Sequence, residues 1–155
     1  MKRKLKWIFA GGAVVFALMQ LANAPRTNPP VVHDWLATES PTPKIKTLLQ
    51  AACYDCHSHE TRWPWYSHIA PVSWLVASDV NEGRKHLNLS DWPTDQPARA
   101  AKLLDRMSEE IDYHEMPPKK YTAIHADARL SNGDRKELTD WLDAEVSRLK
   151  PTAEK

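Results

Sequence analysis

The only two cysteines of the chain stand in one pentapeptide, Cys53-Tyr54-Asp55-Cys56-His57, and this C-x-x-C-H run is its strongest constraint. Two intervening residues let one turn of backbone present both sulfurs to one edge of a porphyrin. Each thiol can add to one vinyl group, and His57 then falls beneath the iron as proximal ligand. One motif implies one covalently bound haem c. Two other chemistries use a C-x-x-C pair. A redox dithiol normally sits on a thioredoxin-like βαβ pattern, and nothing here alternates strand with helix. A structural zinc site needs four ligands, and the sequence offers no second C-x-x-C and no H-x-x-x-H.

The first twenty-odd residues read as an export signal. Lys2, Arg3, Lys4 and Lys6 precede an apolar run from Trp7 to Ala22 broken only by Gln20. That run is near the short end of the roughly 17–25 residues that span a bilayer. Ala22-Asn23-Ala24 has the small-x-small form of a signal-peptidase site, but Pro25 directly after it should hinder cleavage. Residues 1–24 are therefore expected to stay as a signal anchor in the bacterial inner membrane, basic end in the cytoplasm. The alternative is a soluble periplasmic domain released near Ala24. Both routes place the cysteines in the periplasm, where haem is attached to bacterial cytochromes c.

Setting the four N-terminal basic residues aside leaves 17 Lys and Arg against 20 Asp and Glu, a mildly acidic −3. No basic stripe is present, so nucleic acid is not an expected partner. Residues 25–42 carry Pro25, Pro29, Pro30 and Pro41 and read as a semi-rigid linker. An arm docked through Val31, Val32 and Trp35 is the competing reading.

Residues 43–150 are expected to form one all-α domain of about four helices, with a short tail at 151–155. The first helix runs from Pro43 to Cys56 with Thr42 as N-cap, burying Ile45, Leu48, Leu49 and Ala52. A second spans about Pro71 to Gly83 or Leu87, with Val72, Leu75, Val76 and Val80 apolar. The third begins near Pro97 after an Asp95 cap, along Ala100, Leu103, Leu104, Met107 and Ile111. The fourth starts at Ser131, with Asp134 placed for a capping box, and buries Leu138, Trp141, Leu142, Val146 and Leu149.

Met116 is the candidate sixth ligand of the iron. It sits in Tyr113-His114-Glu115-Met116-Pro117-Pro118, where two prolines stop the helix and stiffen the loop. A thioether is soft, favours Fe(II) and raises the reduction potential. The competing role, a gap-filling core methionine, suits Met107 on its helical face better. Histidine rivals are His114, His59, His68, His86 and His125. Arg62 and Arg84 are the cations best placed in sequence to pair with haem propionates; solvated surface arginines are the competing reading, slightly preferred. Trp63, with Trp65, Trp74 and Trp92, lies just after the motif and could wall off one ring edge.

An attachment motif closing a first helix, a methionine–proline loop and a terminal helix with a tryptophan resemble class I cytochromes c. More narrowly, Ala52 to Ser58, Thr61, Trp63 to Ser67, Ile69 to Trp74, Gly83-Arg84 and Met116-Pro117 resemble the bacterial haem-binding domain family. Its members are small exported proteins, mostly membrane-anchored, and the resemblance extends to Asn28-Pro29-Pro30-Val31. It implies haem c binding within a cytochrome c-like bundle. The residues point to an electron carrier serving redox partner proteins of the cell envelope. The alternatives are a peroxidase-like enzyme with an open distal site, for which His114 or Glu115 could supply acid–base chemistry, and a haem-based sensor or subunit of a larger complex.

Overall fold

The computed structural model describes residues 2–150; the tail assigned to 151–155 lies outside the described residues. Among the described residues the protein is all-α, with no strands. Its helices are α1 (Lys2–Met19), α2 (Trp35–Glu39), α3 (Pro43–Ala52), α4 (Tyr54–His57), α5 (Val72–His86), α6 (Pro97–Asp112), α7 (Lys119–Thr122) and α8 (Asn132–Leu149).

Local chemistry explains most boundaries. Thr42 Oγ1 accepts from the Ile45 N–H, and Pro43 occupies the first turn of α3, where its missing N–H costs nothing. Ser131 and Asp134 form the reciprocal capping box of α8, each side chain taking the other's backbone N–H. The first long helix differs from expectation. It breaks at Cys53 (φ −122°, ψ −41°), so the motif sits on a separate single turn, α4, rather than on the end of α3. The N-cap of α6 is Gln96, not Asp95, and no side chain caps it.

α6 and α8 form the main helical pair. Leu104, Met107 and Ile111 of α6 bury against Leu138, Leu142 and Val146 of α8, and α3 adds Ile45 and Leu49. Ser108 Oγ donates to Asp143 Oδ1 at 2.8 Å across this pair. Leu48, Leu103, Trp141 and Leu149 pack at the cluster's rim. On α5 only Val80 of the expected apolar face is buried, while Leu75 is 65% exposed.

Residues 25–34 lie along the domain as a docked arm. Arg26 Nη1 donates to Ser67 O, Asn28 Nδ2 to Thr61 O, and the Val32 and His33 N–H groups to Ser90 O. The core begins before residue 43: Trp35 is fully buried, stacked on Trp92 at 5.0 Å and tilted against Trp141 at 5.2 Å. Val31 and Val32 stay exposed, so Trp35 and Leu36 do the docking.

Candidate functional site

A cavity of about 670 Å³ opens between α4, α5, α6 and the segment around α7, within the roughly 300–1,000 Å³ typical of ligand sites. One wall carries Cys53, Cys56 and His57. Val72, Val76, Val80 and His86 of α5 form a second. Leu103, Arg106, Met107, Glu110 and Ile111 of α6 form a third, and Arg62, Tyr66, Met116, Tyr121, Ile124 and His125 are among the other lining residues.

The motif is held by backbone, not by packing alone. His57 Nδ1 faces two carbonyls, Gly83 O at 2.9 Å and Leu87 O at 3.1 Å, near the C-terminal end of α5. Both can only accept, so Nδ1 carries the proton and Nε2 keeps its lone pair for a metal. Withdrawal from water holds this imidazole below its ordinary range, against the opposing pull of the two carbonyls. Neutral histidine is the ligating form.

Burial likewise pushes the Cys53 thiol up to about 12 and the Cys56 thiol up to about 11. A reactive dithiol needs the opposite shift. Neither cysteine is in a disulfide, and no three His, Cys, Asp or Glu side chains gather as a metal cluster among the described residues. Two protonated thiols and a pre-aimed imidazole on one wall of a largely apolar cavity fit a haem.

Gly83 lets α5 approach this wall. A Cβ there would stand 2.5 Å from Cys56 O and 3.1 Å from its carbonyl carbon. Gly83→Ala should therefore destabilise the protein by about 1–3 kcal/mol, because rigid backbone must move. Gly133→Ala is the control: its nearest neighbour would be Ser131 Oγ at 3.7 Å, and it should be neutral or stabilising by up to about 1 kcal/mol. Thermal denaturation of both variants checks the contrast.

Asp55, inside the motif, is a residue whose role sequence reasoning missed. Its buried carboxylate accepts from the Arg62 backbone N–H (3.0 Å), from Arg62 Nε and Nη2 (3.2 Å each) and from Tyr121 OH (2.8 Å). Desolvation and the Asp55 bond both push the Tyr121 phenol up, so it stays a donor. Asp55 thus ties α4 to α7. Tyr121 also stacks on His125 at 4.0 Å, and Tyr66 OH lies 3.0 Å from His125 Nε2. The sequence signal was an acid within C-x-x-C followed seven residues later by arginine.

The other expected site residues divide. Arg62 lines the cavity with its guanidinium engaged by Asp55. Arg84 does not: it donates to Ser58 O, Thr27 O, Asn28 Oδ1 and Thr61 Oγ1, joining the arm to the loop after the motif. Trp63 also lies off the cavity, its Nε1 donating to Asn28 Oδ1 at 3.2 Å. Trp65 is 75% exposed and Trp92 stacks in the core, so aromatic walling comes from Tyr66 and Tyr121 instead. Arg106 and Lys120 are cavity-lining cations that sequence order gave no reason to single out.

Met116 does line the cavity, and its loop is built for position. α6 ends with His114 in the left-handed region (φ 61°), and the Glu115 N–H reaches back to Glu110 O at 3.1 Å while the His114 N–H reaches Ile111 O at 3.2 Å. This is the Schellman pattern, with histidine where glycine is usual. The Met116 N–H adds a bond to Glu110 O at 3.0 Å, and Arg135 Nη1 of α8 donates to Met116 O (2.8 Å) and Ile111 O (2.9 Å). His114 itself points to Asp112 O and, like Glu115, does not line the cavity; His59 is held by Pro30 O and Asn88.

An all-α domain with this wall is a haem-binding domain. The chain belongs to the haem-binding domain family, whose model matches residues 14–144. It is also similar to a cytochrome c peroxidase of Escherichia coli K12, 30% identical over 104 residues and 61% of this chain. The chain spans about a fifth (21%) of that relative's length. No solved structure matches.

Proposed function

We propose that this protein is a membrane-anchored monohaem c-type cytochrome that carries electrons in the cell envelope. The observation that carries the reading is the shared cavity of Cys53, Cys56, His57 and Met116. When bound, haem supplies a one-electron iron couple. The rest is this chain's work. Cys53 and Cys56 would hold the macrocycle through thioethers, and His57 would present Nε2 because Gly83 O and Leu87 O fix its Nδ1 proton. Met116, held at the cavity by the Schellman turn and the Arg135 clamp, would offer its thioether sulfur to the iron. Apolar walls from Val76, Val80, Leu103 and Ile111 limit water, which favours the less charged ferrous state. Arg106, exposed at the cavity edge, Arg62 and Lys120 are cavity-lining cations that would be available to pair with propionates.

α1 supports the anchor. The segment Lys2–Ala22 holds an 18-residue window of mean hydropathy 1.7, and none of that window is buried in the domain. Haem staining of denaturing gels, on protein made in cells with the haem-attachment machinery and fractionated into membrane and soluble pools, tests both parts. Stained protein in the inner-membrane pool, resistant to salt wash, is the expected result. Absence of stain sinks the cytochrome c reading. A stained, soluble protein with an N-terminus at Pro25 sinks the anchor.

Similarity to a peroxidase favours a second reading, a haem enzyme. Its acid–base groups would be Glu110 and His125, which line the cavity, rather than His114 or Glu115. That reading requires the Met116 sulfur to leave the iron's distal position open.

A further inference from the structure

Gln20 is the one polar residue in the apolar run, and the structure gives it a specific partner. Its Nε2 donates to Ala70 O at 3.1 Å and its Oε1 accepts from the Ala70 N–H at 3.0 Å. Two further bonds lie beside this clamp: Asn23 Nδ2 to His68 O (2.7 Å) and Trp74 Nε1 to Ala22 O (2.7 Å). The end of the apolar helix is therefore fastened to the backbone of residues 68–70 and to the first turn of α5. Around these attachment points the domain exposes Trp65 (75%), Ile69 (38%), Val72 (40%), Trp74 (37%) and Leu75 (65%). The short turn Trp65–His68 packs on α5, and the Ser73 N–H bonds Ile69 O at 2.9 Å, so these side chains belong to one continuous segment.

Isolated exposed apolar residues are ordinary on a protein surface. A cluster that surrounds the exit of an apolar helix is not isolated. The helix end fixes where the hydrocarbon stops, and whatever is bonded to that end lies at headgroup depth. Tryptophan favours that depth because its ring is apolar and its N–H polar. We infer that the face formed by Trp65, Ile69, Val72, Trp74 and Leu75 rests on the lipid bilayer entered by α1. The inference rests on the anchor reading of α1. Tyr66 and Val72 also line the haem cavity, so this contact places one side of the cavity near the membrane surface.

The test uses the full haem-loaded chain in nanodiscs of phosphatidylethanolamine and phosphatidylglycerol. They are doped with a phospholipid carrying a photoreactive diazirine close to the headgroup. Irradiation followed by peptide mass spectrometry should place lipid adducts on α1 and on residues 65–75. The peptide with Tyr113, which is 71% exposed, should remain unlabelled. Adducts confined to α1 overturn the resting surface while leaving the anchor intact. Adducts absent from α1 as well overturn the anchor reading itself. Labelling of Tyr113 as strong as that of Trp65 and Leu75 also overturns the inference, because the contact would then be random.

Discussion

Met116→Ala should convert a closed haem site into an open one. The oxidised protein should lose the weak far-red band of sulfur–iron ligation, and carbon monoxide should bind the reduced variant readily but the native protein poorly. The reduction potential should fall, because a soft thioether stabilises Fe(II) preferentially and its loss removes that bias. Met107 is the necessary comparison. It is 7% exposed, belongs to the core cluster and also lines the cavity. Met107→Ala should cost about 2–5 kcal/mol of stability by opening a void, yet keep the far-red band. Loss of the band in Met107→Ala alone would transfer the ligand role to Met107. Fast carbon monoxide binding by the native protein would replace the carrier with the enzyme or sensor reading.

The double variant Cys53→Ala/Cys56→Ala should lose all haem staining on denaturing gels. Each single variant should retain weaker staining, through the one thioether left. The cavity and the His57 Nδ1 bonds do not depend on either sulfur. The double variant should therefore still take up haem without a covalent link, visible in native spectra and lost on denaturation. The chain has no other cysteine. Haem that survives denaturation of the double variant would place the attachment on a different side chain and end the thioether account.

The parts of this fold legible in the sequence are those fixed within one or two turns of chain. Thr42-Pro43 and Ser131 with Asp134 announce the starts of α3 and α8 because their caps close over three residues. The α6 stripe from Ala100 to Ile111 announces its buried face. The break at Cys53 left no mark, since Ala52, Cys53 and Tyr54 are all compatible with continued helix. Arg84 and Trp63 could not be placed either. Their partners Thr27 and Asn28 lie 35 to 57 positions away in the chain, and only tertiary structure brings them together. Aromatic crowding after the motif suggested haem packing, but a burial pattern does not say which aromatic faces the cavity. Tyr121 reached it through Asp55, and no periodicity encodes that bond.

As a loose tether, residues 25–34 would reach about 33 Å at full extension. Arg26, Asn28, Val32 and His33 instead spend that length in hydrogen bonds along the domain. If α1 anchors the chain as proposed, a domain held this way could not swing out to sample the periplasm. Its search for partners would become two-dimensional: the haem edge would drift at one fixed height, and only proteins offering a docking site at that height could meet it. Encounter rates would then follow lateral diffusion and membrane copy number rather than the volume swept by a flexible arm.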